Sequence, residues 1–134
     1  MQKGFHHVAF ACRDPEATRH FYEDLLGFAL THTELEGDDK ARMKHLFFDV
    51  GDGSSMAFFY LEGPGFPSAY PTDISTGMGL PVWVNHVAFK ADADRKQQVL
   101  ATLSDAGIEP LMGGRERALP PPMSLKPRVP TRSS

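Results

Sequence analysis

Phe5–Phe28, FHHVAFACRDPEATRHFYEDLLGF, holds the segment that decides the fold, and a tetrapeptide of it returns later in the chain. His7-Val8-Ala9-Phe10 recurs as His86-Val87-Ala88-Phe89, and each copy leads into a helix-like stretch that stops at a glycine, Gly27 or Gly107. The repeat therefore spans a strand-plus-helix unit. Within Phe5–Cys12, alternation places Phe5, His7, Ala9 and Ala11 on one face and His6, Val8, Phe10 and Cys12 on the other. Asp14-Pro15-Glu16 reads as a helix start, with Asp14 as N-cap, Pro15 at the first helical position and Glu16 at the positive end of the dipole. Phe21, Tyr22, Leu25 and Leu26 form its apolar stripe, and Gly27 supplies the left-handed cap.

Working outward, strands are expected at Phe28–Glu34, Lys44–Val50 and Ser55–Leu61, the last two joined by the turn Gly51-Asp52-Gly53. Residues 1–62 thus read as a first β-α-β-β-β module, and the Gly-, Pro- and Ser-rich 63–81 as a linker. A second module occupies 82–112, with a strand over Val82–Lys90, a helix from about Asp94 to Ala106, and the start of another strand at Ile108–Met112. From 113 to 134 the chain turns Pro- and Arg-rich without period 2 or 3.6 and is expected to be disordered. Two readings of that tail stand open, an altered reading frame and a basic, proline-rich interaction arm. The fold class expected is α+β: paired βαβββ modules, the second truncated after its helix.

Composition narrows the function classes. The 134 residues carry a net charge of −3, which gives no reason to expect nucleic acid as a partner. The single cysteine, Cys12, excludes an internal disulfide framework and suits a reducing compartment. No apolar run approaches a membrane span and no signal-peptide pattern opens the chain, so a cytoplasmic location is expected.

Histidines at one repeat position in both copies, His7 and His86, are the expected metal ligands, because pseudo-symmetric strands bring equivalent positions together. Imidazole suits Zn, Fe, Ni and Cu, and an added carboxylate completes the triad that holds non-haem Fe(II) with open positions. His6, on the opposite strand face, reads as structural or surface.

These residues, with KHLFFDVGDGSSMAFFYLEG and ISTGMGLPVWVNHVAFKA, resemble the vicinal oxygen chelate superfamily of glyoxalase I, bleomycin-resistance proteins and type I extradiol dioxygenases. The resemblance implies paired βαβββ modules enclosing a metal in a U-shaped sheet. The long linker before the second histidine resembles the dioxygenase branch, which implies Fe(II) or Mn(II) held by a first-strand His, a fifth-strand His and an eighth-strand Glu. His7 and His86 match the first two. No segment matches the third; Glu62, two residues beyond Tyr60 on the fourth strand, is the candidate replacement, beside its reading as a solvated loop-edge acid. His45 is the candidate general acid/base, a role open to an imidazole titrating near neutrality. Tyr60 is a candidate donor to a substrate oxygen. Both residues carry packing readings as well.

Three functions follow from the resemblance. The first is an extradiol ring-cleaving dioxygenase acting on a catecholic or similar small molecule, with catalysis open to doubt where the last strands and their Glu are missing. The second is a glyoxalase-type lyase or isomerase using Ni(II) or Zn(II). The third is a non-catalytic, bleomycin-resistance-like binding protein. A homodimer is expected in each case.

Overall fold

A computed structural model describes residues 3–111 and the backbone of 125 and 126. The chain divides into two compact units, Met1–Thr72 and Asp73–Ser134. The mixed α+β architecture agrees with the expected fold class.

The first unit has the order β1 (His7–Cys12), α1 (Pro15–Arg19), β2 (Ala29–Gly37), β3 (Arg42–Asp49) and β4 (Ser55–Glu62). The helix start forms as its residues dictate: the Asp14 carboxylate accepts from Ala17 N–H at 3.0 Å, with Pro15 in the first turn. A single helix was expected to Gly27, but α1 widens into a π-helical turn over His20–Leu25, where Leu26 N–H reaches back to Phe21 C=O. From this wider turn the Tyr22 ring lies 4.9 Å from that of Phe58 and 5.7 Å from that of Phe48. Burial beneath the helix pushes the Tyr22 phenol up to about 12. Gly27, at φ 76°, then turns the chain into β2.

The sheet order is β1-β4-β3-β2, with β1 parallel to β4 and the other pairs antiparallel. The register fixes which side chains share a face, because residues directly opposite one another point the same way. Val8, Phe10, Cys12, Met56, Phe58, Leu46 and Phe48 form the face that Tyr22 covers, and Phe48 is fully buried there. His7, Ala9, Ala11, Ser55, Ala57, Phe59, His45 and Phe47 form the other, open face. Between β3 and β4, Asp49 accepts from Gly51 N–H at 2.7 Å, and Gly51 and Gly53 both take positive φ. After β4 the chain is tied back at Tyr70, whose hydroxyl accepts from Leu61 N–H and donates to Cys12 C=O.

The second unit contains a short 3₁₀ turn (Thr76–Met78), α2 (Ala93–Asp105) and the two-residue strand β5 (Glu109–Pro110), paired antiparallel with β6 (Leu125–Lys126). Asp92 caps α2 by accepting from Arg95 N–H at 2.8 Å, and Val99 and Leu103 are its buried residues. Gly107, at φ 79°, closes it, with Ile108 N–H returning to Leu103 C=O.

The expected strand over Val82–Lys90 is corrected by the structure. A strand exists only by pairing, and among the described residues none pairs with this segment. Its backbone is committed elsewhere: Val84 N–H turns back to Pro81 C=O, and Asn85 N–H donates to the buried Ser75 hydroxyl. The alternation nevertheless survives, with Asn85, Val87 and Phe89 half-buried and His86, Ala88 and Lys90 exposed. The expectation of disorder over 113–134 lies outside the described residues, except that the backbone of Leu125–Lys126 pairs with β5.

Candidate functional site

In the first unit the open face of the sheet carries two of the candidate residues, His7 and His45. His7 lies at the start of β1, exposed, with Val8 and Phe10 turned the other way into the core. Its ring meets Phe47 edge-on, centroids 5.7 Å apart. Its Nδ1 lies 2.8 Å from Nδ1 of His6.

His45 lies on the same face in β3. Its ring stacks on Phe59 at 3.8 Å and contacts Phe47 at 4.3 Å, leaving the side chain 13% exposed. Nδ1 is 3.7 Å from a carboxylate oxygen of Glu34, its direct cross-strand partner, while Nε2 is buried without a hydrogen-bond partner. The other Glu34 oxygen is 3.4 Å from His32 Nε2. Contact with His32, then with neighbouring Glu36 and His45, holds the Glu34 carboxyl below its ordinary range. Glu34 and His32 are missing from the candidates drawn from sequence. The available signal was their spacing of two on one strand, which puts both on one face.

Tyr60 and Glu62 are not brought to His7. Cys12 is opposite Tyr60, and Arg42 is opposite Glu62, so both candidates point to the helix-covered side of the sheet. Glu62 is engaged there by Arg42, at 2.7 Å. Phe59, one position before Tyr60, lies instead on His7's face of the sheet, with Ser55 and Ala57. A one-residue difference along a strand exchanges the faces, and spacing alone did not resolve it. Cys12 is buried, and that burial raises its thiol pKa.

In the second unit, His86 is exposed and its Nδ1 lies 3.1 Å from Trp83 C=O. A carbonyl can only accept, so Nδ1 carries a proton, and in the neutral ring Nε2 then holds the lone pair. That is the state of a neutral imidazole ligand whose other nitrogen is held by a local partner. The donor chemistry of His86 suits a divalent metal of the nitrogen–oxygen class. Among the described residues no three His, Cys, Asp or Glu side chains are grouped closely enough to hold a metal ion.

The profile of the Glyoxalase/Bleomycin resistance protein/Dioxygenase superfamily matches residues 4–117. A glyoxalase family protein from Enterococcus faecalis has a similar structure, with 27% identity and a TM-score of 0.54 over 80% of this chain and 75% of that one. The fosfomycin resistance protein FosX from Listeria monocytogenes, solved with Mn(II) and 1S,2S-dihydroxypropylphosphonic acid, shares the fold at 15% identity. Its TM-score is 0.62, covering 88% of this chain and 79% of that one. A provisionally assigned ring-cleaving dioxygenase, MhqE of Bacillus subtilis (strain 168), is 36% identical over 66 residues. That match takes in 47% of this chain and 22% of MhqE, so the chain spans less than a quarter of that relative's length.

Proposed function

The chain belongs to the Glyoxalase/Bleomycin resistance protein/Dioxygenase superfamily, and from that premise we propose that it is a metal-dependent, extradiol-dioxygenase-like protein acting on a catecholic small molecule. His7 and His86 are its proposed ligands for Fe(II) or Mn(II). The observation that carries this reading is the repeat itself, with an exposed histidine at the same position of both copies and the Nδ1 proton of His86 fixed by a carbonyl. The similarity to MhqE favours ring cleavage over the other chemistries of the superfamily. Glu62 is left out of the ligand set, because it is paired with Arg42 on the far face of the sheet from His7.

A divalent metal bound by these histidines would supply a positive charge that favours ionisation of a substrate hydroxyl. This chain's residues supply the rest. Phe47 and Phe59 offer apolar rings to a flat substrate. His45, stacked on Phe59 and in contact with Phe47, is the group proposed to take the substrate's hydroxyl proton.

The test is the metal content and Fe(II) affinity of the chain beside its His7→Ala and His86→Ala forms, with oxygen uptake in the presence of catechol. Loss of affinity in both variants and catechol-dependent uptake in the parent are expected. Affinity unchanged in both would overturn the ligand assignment. Metal binding without oxygen uptake would point instead to the glyoxalase-type reading.

A further inference from the structure

The four strands of the first sheet separate their charges by face. Arg42 lies opposite Glu62 and Lys44 opposite Tyr60, so the lysine and arginine of the strands are on the helix-covered side. The open face carries acids instead: Asp49, and on β2 Glu34 and Glu36, which lie opposite His45 and Met43. Asp49 is taken up by the turn that follows it, accepting from Gly51 N–H. Arg13, just past the end of β1, donates to Tyr70 C=O. Among the described residues the ion-pair partners of Glu34 are His32 and His45, and an imidazole offsets a carboxylate only when protonated. The Glu34 side chain is 41% exposed, so its charge is open to a ligand.

Rings surround this carboxylate. Phe59 and Glu34 flank His45 in one cross-strand row, with Phe59 stacked on His45 at 3.8 Å. Phe47 meets the rings of His45 and His32 at 4.3 and 5.9 Å. An anion beside aromatic rings, without three side chains grouped to hold a metal ion among the described residues, suits an organic cation with a flat apolar body. The carboxylate takes the charge, while the rings cover the apolar surface and add cation–π attraction. We propose that the open face selects an aromatic substrate bearing a cationic amine, with its ring on Phe47 and Phe59 and its ammonium at Glu34. This rests on the reading of the protein as acting on a catecholic small molecule, and names the class of catechol. Glu34 and Phe47 are diagonal neighbours across β2 and β3, a relation that separates side chains by ~7–8 Å. An ammonium two carbons from a ring, with its hydrogen bond, spans that distance. An acidic substituent meets Glu34 and Glu36 in the same place and is repelled.

The experiment measures binding to the whole, metal-free chain by calorimetry under nitrogen, which keeps catechols reduced. Dopamine, 4-ethylcatechol and 3,4-dihydroxyphenylacetate are similar in size and differ in charge, and phenethylamine keeps the amine without the hydroxyls. Dopamine is expected to bind ~5-fold tighter than 4-ethylcatechol, the worth of one half-exposed ion pair. The acid is expected to bind most weakly, and the preference to shrink as salt is raised. In Glu34→Gln dopamine should fall to the level of 4-ethylcatechol. Glu62→Gln makes the same change of charge on the far face and should keep the parent's preference. Amide spectra check that both variants keep the fold. Dopamine binding no tighter than 4-ethylcatechol, or a preference that persists in Glu34→Gln, overturns the proposal and leaves the catechol reading standing. Phenethylamine binding at Glu34 with no gain from the hydroxyls of dopamine overturns instead the catechol reading and leaves the amine site. No binding by any of the four overturns both.

Discussion

His45 sets a local cost against a local use. An imidazole nitrogen buried without a partner costs stability on the order of 1–3 kcal/mol, because its hydration is lost and nothing replaces it. Replacing the ring by one without nitrogen removes that cost while keeping the stack on Phe59 and the contact with Phe47. His45→Phe is therefore expected to raise stability by about 1 kcal/mol in urea unfolding. The same change is expected to abolish any turnover the parent shows, in the usual trade between stability and function. Arg19 permits a prediction of the opposite kind. Its guanidinium bonds Asp24, with His20 adding to the effect, and holds that carboxyl at about 2, below its ordinary 3.8. A depressed carboxyl contributes stability above its ordinary value and loses it as the pH falls through the folded value. The contribution from Asp24 is thus expected to disappear between about 4 and about 2. Arg19→Ala should return the Asp24 titration, followed by carboxyl NMR, towards the ordinary value. At this scale the repeat singled out His7 and His86 and the family resemblance singled out His45, and the register puts His7 and His45 on one face of the sheet. The sequence did not point to His32 and Glu34, because a polar edge strand offers no apolar alternation from which to choose its inward face. It also set Tyr60 one position away from Phe59.

At the scale of elements, capping chemistry was the most readable signal. Asp14 and Asp92 cap α1 and α2, and Gly27 and Gly107 end their helical stretches, all at or beside the positions that side-chain chemistry singles out. Asp14→Ala should cost about 1 kcal/mol in chemical denaturation, the usual worth of an N-cap. The π turn over His20–Leu25 was not readable, because periodicity of 3.6 and a single widened turn share the same apolar residues. Val82–Lys90 failed for another reason. Its alternation of exposed and half-buried residues is real, but a strand also needs a partner, which no local pattern supplies. Tyr70 likewise gives no local signal, although its hydroxyl joins the ends of β1 and β4. Tyr70→Phe is expected to cost about 1 kcal/mol, since a single hydroxyl satisfies both the Leu61 amide and the Cys12 carbonyl.

At the scale of the molecule, family and fold class were recoverable because the same tetrapeptide leads into a helix and a terminal glycine in both copies, although among the described residues only the first copy forms a strand. The edges of the first sheet were less so, since β1 and β2 are placed on the outside by the pairing order alone. That order has a kinetic consequence. β2, β3 and β4 follow one another as antiparallel neighbours joined by short turns, so they can zip together locally. β1 must instead wait for β4, because His7 registers with Ser55 in a parallel pair across nearly the whole of the first unit. Contacts of such long sequence separation pay their loop-closure entropy before they return any stabilisation. β1 is therefore expected to join the sheet after β2, β3 and β4 have paired, so that a partly folded chain presents the open edge of β4 to solvent before His7 is in place.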